Sequence, residues 1–282
     1  MAKAKEESAT VVEEKKKTEV AKVESTAVAK VAVDFEADEG AGMGNMSAKD
    51  MLIPYYAIIQ ANSKVLKKTE PNYIKGAEQG MFVNTATGKT YDGEKGVVMI
   101  FCDFFTRFTE WTPVDQGGGF VAAHGDNEDI LKSTTKDEKG RDMTARGTQI
   151  VKSADYPAII YNEETGEIER VLVSMTSTQL KKARRLNTYA NNLQLPRKDG
   201  KGMYSPPLYY MSYKVTTVPE KNSSGDWHGF RIEPYKPLPD LIPDEEDLAE
   251  VYAAVKHFAA LIRSGEAKVD QTQGVPDSEI PF

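Results

Sequence analysis

A chain of 282 residues, 40% hydrophobic and 28% charged, has the apolar content to bury one core of ordinary size, which excludes a wholly disordered polymer. Its formal net charge of −7 argues against a passive polycationic coat for nucleic acid, unless the charges are segregated along the chain. They are segregated, and no apolar run reaches the roughly 20 residues that span a bilayer, so no membrane partner is expected.

The start of the chain, Met1-Ala2-Lys3-Ala4-Lys5-Glu6-Glu7, carries charge where a secretory signal needs an apolar stretch. The single cysteine, Cys102, excludes an internal disulfide framework and a cysteine-cluster zinc site. Both features point to a reducing cytoplasm.

Residues 1–48 read as a disordered charged arm. Lys, Glu, Ala, Val, Thr and Ser dominate it, Phe35 is its only aromatic, and Gly40, Gly42 and Gly44 make a flexible joint at its end. A folded domain is expected over residues 49–235. A short helix over Ser47–Leu52, limited by Pro54, precedes a strand at Tyr55–Ile59. Met81–Asn84 and Lys89–Tyr91 read as a hairpin turning at Gly88. The β-branched and aromatic run Gly96–Trp111 is the strongest strand signal in the chain, and Gly117-Gly118-Gly119 ends it.

Residues 125–147 are polar and read as a loop. Strands return at Thr148–Val151, Ala158–Tyr161 and Arg170–Met175. A helix is then expected over residues 178–193, capped by Ser177 or Thr178, with Leu180, Ala183, Leu186 and Ala190 on one face. The last hairpin pairs Leu208–Thr217 with Trp227–Ile232. Antiparallel strands, one helix and a final hairpin are the order of an OB-like barrel, so the expected fold is mainly β with minor α. Residues 236–265 read as a Pro-rich spacer and an amphipathic helix that Asp244–Asp247 start and Gly265 ends. Residues 266–282 form an acidic tail.

No catalytic constellation emerges. His124, His228 and His257 stand in no metal-ligand spacing, Cys102 alternates within a strand as a small apolar residue, and Gly88-Lys89-Thr90 has Val83 where a phosphate-binding loop needs its first glycine. The expectation is therefore a protein that is not an enzyme and needs no cofactor or metal.

The basic segment carries more information. Lys181, Lys182, Arg184, Arg185, Arg197, Lys198 and Lys201 fall together with one acid, Asp199, among them. Tyr189, Tyr204, Tyr209, Tyr210 and Tyr213 interleave with or follow them. Cations tracking phosphates beside flat rings that stack bases are what single-stranded nucleic acid requires. If Tyr209 and Tyr213 lie on one strand, they share a face. Phe105, Arg107 and Trp111 form a second aromatic and basic group of the same kind. The competing reading is a solvated helix face beside tyrosines that fill a barrel.

The chain ends Asp277-Ser278-Glu279-Ile280-Pro281-Phe282, which resembles the acidic tip of bacterial single-stranded DNA-binding proteins, with Ser278 in place of an acid. The resemblance implies that Asp277, Glu279, Ile280, Pro281 and Phe282 recruit replication or recombination proteins. The body differs from that family. Gly80–Tyr91, the Arg107–Trp111 run and Gly117–Gly119 resemble instead a tailed-bacteriophage family whose members are labelled single-stranded DNA-binding or structural proteins. Together the resemblances imply a phage-type protein that coats single-stranded DNA in the host cytoplasm. The alternatives are a virion structural or interaction protein that binds no nucleic acid, and a recombination annealing protein. The oligomeric state stays open at this level.

Overall fold

The computed structural model describes residues 37–38, 41–45, 50, 52–222, 225–264 and 268–269. Contacts divide the chain between Asn45 and Met46, and the second unit carries the fold. Except for 37–38 and 41–45, the arm expected over residues 1–48 lies outside the described residues.

The chain opens with short strands β1 (Leu52–Ile53), β2 (Tyr56–Ile58), β3 (Phe82–Asn84) and β4 (Thr90–Tyr91). Longer ones follow: β5 (Val97–Phe101), β6 (Phe105–Trp111) and β7 (Phe120–Gly125). A small hairpin, β8 (Thr134–Lys136) and β9 (Asp142–Thr144), precedes the long strands β10 (Gln149–Tyr161) and β11 (Ile168–Thr176). Helix α1 (Leu180–Asn192) is followed by β12 (Leu195–Pro196) and β13 (Met203–Tyr204). The hairpin β14 (Met211–Asn222) and β15 (Gly225–Pro237) leads to α2 (Leu238–Leu241), α3 (Glu245–Arg263) and β16 (Lys268–Val269).

The fold is mainly antiparallel β with few helices, as expected, and its central sheet runs β15-β14-β5-β10-β6-β7 with β11 and β9 on the other edge of β10. Among the described residues the ladders do not close into a cylinder. β11 instead meets the β2-β3-β4 sheet through a parallel bridge between Leu172 and Tyr55. No described helix is long and apolar enough to cross a membrane.

Side-chain alternation explains why Val97–Cys102 is apolar throughout. Val97, Met99 and Phe101 face an inner core shared with Tyr56, Phe82, Val173, Ala183 and Leu186, covered by β2–β4 and α1. Val98, Ile100 and Cys102 face an outer core with Leu238, Leu241, Val251, Val255 and Phe258 of α2 and α3. A strand covered on both faces has no place for polar residues.

Several sequence expectations change. The two strands expected at Thr148–Val151 and Ala158–Tyr161 are one, β10, with Pro157 inside it. Pro157 is tolerated because its side of the ladder faces the break between β5 and β6. There its carbonyl accepts the Cys102 N–H at 2.8 Å and no N–H is required of it. The polar loop at 125–147 contains β8 and β9, held by Lys136 to Asp142 (2.9 Å) and Arg141 to Asp137 (2.7 Å). Leu52, the last residue of the helix expected over Ser47–Leu52, lies instead with Ile53 in strand β1, pairing in parallel with β16.

The expected caps of α1 do not form. Ser177–Gln179 is a 3₁₀ turn with Ser177 at φ 44°, and Gln179 takes the capping position without a side-chain cap. Residues 236–265 hold the expected amphipathic helix as α3, but the stretch expected as a spacer begins with the end of β15 and includes α2, which packs with α3 on the sheet. Asp244 does cap α3, accepting the N–H groups of Glu246 and Asp247.

Candidate nucleic-acid interface

Helix α1 sorts its side chains by period. Ala183 and Leu186 are buried in the inner core, which turns Lys181, Arg184 and Arg185 to solvent. Among the described residues none of these three cations is ion-paired. Lys182 points elsewhere, to Glu220 of β14. Glu220 also accepts hydrogen bonds from Gln179 Nε2 at 3.0 Å and Trp227 Nε1 at 2.7 Å. Burial alone would raise the Glu220 carboxyl, yet Lys182, Gln179 and Trp227 together hold it below the ordinary carboxylate range. Lys182 is thus a structural cation, and the other three stay exposed without an ion pair among the described residues.

Immediately after α1, β12 and β13 pair Leu195 with Tyr204 and Pro196 with Met203. Their connecting loop exposes Arg197, Lys198 and Lys201, and the Arg197 guanidinium sits 6.0 Å from the centre of the half-exposed Tyr204 ring. The sequence cations therefore form two neighbouring groups in the chain, each with a ring beside it: Tyr189 on the helix and Tyr204 on the hairpin.

Between α1 and β15 runs an open groove of about 800 Å³. Leu186, Tyr189, Tyr213, Phe230 and Ile232 give it an apolar lining, and Arg185 and Arg231 line it as well. Its two acids are already engaged, Glu220 with Lys182 and Glu233 with Arg231 at 2.8 Å. Sequence reasoning missed Arg231, whose signal was the alternation Phe230-Arg231-Ile232-Glu233.

Tyr213 is not a stacking residue. It is 1% exposed, with its ring centre 5.3 Å from that of Phe101 and edge-on to Tyr189 at 6.3 Å. Burial, aided by Tyr189, pushes its phenol well up. Tyr209 does not share its face, because Leu208–Tyr210 is a 3₁₀ turn to which strand alternation does not apply. The Tyr209 ring packs edge-on against Tyr252 of α3, on the outer side of the sheet.

The second expected group is also built into the body. Phe105 packs against the outer core, and Arg107 is buried, 2.7 Å from Asp155 and donating to the Tyr55 hydroxyl at 2.8 Å. Trp111 is buried, edge-on to Phe120, its indole donating to Thr109 at 2.9 Å. β6 carries all three and is paired on both edges, by β10 and β7, and the burial of Arg107 and Trp111 leaves neither side chain open to bases. The expected partner-binding residues Asp277, Glu279, Ile280, Pro281 and Phe282 lie outside the described residues.

No curated protein and no solved structure matches the chain. The model of a phage protein family does, over residues 21–268, a span holding both cation groups, the groove and the whole sheet. On that match the chain belongs to the Pam3 phage gp34-like protein family.

Proposed function

We propose that this phage-family protein binds single-stranded DNA along α1 and the β12–β13 hairpin. The observation that carries the reading is the segregation of charge. In a chain of net charge −7, Lys181, Arg184 and Arg185 stand unpaired on one helix face, and Arg197, Lys198 and Lys201 follow on the next hairpin. Tyr189 and Tyr204, both more than a third exposed, supply flat rings beside them. Phosphates run along the cations and unpaired bases meet the rings, an arrangement that a duplex with its bases stacked inside does not satisfy.

The C-terminal tip takes the second role. The apolar Ile280, Pro281 and Phe282 beside the acids Asp277 and Glu279 suit a small basic-rimmed pocket on a replication or recombination protein.

Titration of labelled oligo-dT at several salt concentrations tests the reading. Neutralising four to five phosphates gives a slope of log K against log salt of roughly −3 for single strands. Equal affinity for duplex overturns it, and so does no binding at low salt, the outcome that favours a virion interaction protein.

A further inference from the structure

We propose that the groove between α1 and β15 receives a nucleobase edge-on, so that the bound strand points its bases inward while its phosphates follow the outer face of α1. The inference rests on the single-stranded DNA reading above and adds to it where the base goes.

β15 is the terminal strand of the central sheet, so one edge of its backbone has no ladder partner. The protein covers part of that edge with two glutamine side chains. Gln60 donates to the His228 carbonyl at 2.7 Å and accepts the His228 N–H at 2.9 Å. Gln179 accepts the Phe230 N–H at 3.0 Å. Backbone groups of alternate residues point to the same edge, so the N–H and C=O of Ile232 also face outward. Among the described residues no group bonds them, and Ile232 lines the groove. The next residue of that parity, Pro234, has no N–H.

Between the Gln179 contact and Pro234 the open edge thus offers one complete donor and acceptor pair, that of Ile232. An added peptide strand needs several such pairs in a row, and the glutamines and Pro234 deny it them. A single adjacent donor and acceptor instead matches the Watson–Crick edge of an unpaired base.

A second observation points into the same groove. The Tyr213 side chain lines it, is 1% exposed, and its hydroxyl has no hydrogen-bond partner among the described residues. A buried unpaired hydroxyl is costly, and a base atom entering the groove would satisfy it. Tyr189 of α1, 37% exposed at the groove and edge-on to Tyr213, supplies the ring against which the base lies. The lining is apolar enough for a base, and Arg185 of α1 joins the groove to the cationic face.

The test compares a dT oligonucleotide with one of equal length and charge whose residues are abasic, by anisotropy of an end label at fixed low salt. The full chain should bind dT at least about tenfold more tightly, as one stacked base implies. Tyr189→Ala should remove most of that difference. Tyr213→Phe, which keeps the ring and removes only the hydroxyl, should lower dT affinity several-fold, and both variants should leave abasic affinity unchanged. Equal binding of dT and abasic strands by the unmodified chain overturns the inference while leaving single-strand binding intact. Binding of neither overturns both. If Tyr189→Ala weakens both strands equally, the ring acts on the fold or the phosphates, and the inference also fails.

Discussion

Lys182 of α1 is ion-paired with Glu220 of β14, and Gly229 of β15 lies close beneath the pair. A Cβ at Gly229 would meet Glu220 Oε2 at 2.6 Å and Lys182 Nζ at 2.6 Å. Those atoms are the ends of flexible side chains, so a Cβ here displaces the Lys182–Glu220 pair and not backbone. Gly229→Ala is expected to destabilise the protein by up to about 1 kcal/mol, the worth of the ion pair it displaces. Urea unfolding checks this: a shift of the midpoint at unchanged slope is the expected outcome, and an unshifted midpoint would show that the pair yields freely.

The same pair separates the five-residue basic run into two kinds of cation. Replacing Lys181, Arg184 and Arg185 together by Ala should flatten the salt slope of oligo-dT binding by about 2, near 0.7 for each lost phosphate contact. Lys182→Ala should leave the slope nearly unchanged and appear in stability. A slope that responds equally to Lys182 would mean that Glu220 releases it to the DNA.

Arg107 is expected to matter for folding and not for DNA. Burial pushes the Asp155 carboxyl up, and Arg107 at 2.7 Å opposes that shift. Arg107→Ala leaves a buried acid without its cation and should cost about 3–5 kcal/mol. Thermal melts should show the loss, while the folded fraction keeps its oligo-dT affinity. A selective loss of DNA binding in a stable variant would return Arg107 to the interface.

Glu110 should give the fold an acid-sensitive point. Its carboxylate is 1% exposed and accepts hydrogen bonds from Thr148 and Arg146, with His124 Nε2 3.0 Å away. The Thr148 hydroxyl is the largest influence holding it below the ordinary carboxylate range, against burial, with His124 and Arg146 adding to it. A carboxylate depressed in the folded state contributes stability that is complete above its unfolded pKa and is lost as pH falls through the folded value. Thr148→Val should therefore move acid unfolding to higher pH and cost about 1.5–3 kcal/mol at neutral pH, the range for a hydrogen bond to a charged group. Fluorescence of the adjacent Trp111 during an acid titration reads the shift. An unmoved transition would remove Glu110 from the acid response.

Composition and period determined much of this protein. The hairpin at Gly88, the Leu180-Ala183-Leu186 face of α1 and the Asp244 cap of α3 follow from local rules, because each depends on neighbours within one turn or one pleat. The β-branched run read over Gly96–Trp111 is extended but broken at residues 102–104 into β5 and β6. The exposure of Lys181, Arg184 and Arg185 follows in the same way, from the face opposite those apolar positions.

Tertiary structure decided which polar and aromatic residues were left over. Tyr209 and Tyr213 stand four apart and look equivalent in sequence. A 3₁₀ turn sends one to the outer core and the strand sends the other to the floor of the groove. Lys182 and Arg185 look alike until Glu220, thirty-eight positions beyond Lys182, claims one of them. Arg107 reads as a basic residue among aromatics, but its partner Asp155 lies on a strand that only sheet pairing brings beside it. Local sequence sets period and propensity through contacts a few residues long. Burial, ion pairing and an open sheet edge are set by residues distant in the chain, and the groove beside Ile232 exists only where α1 and β15 meet.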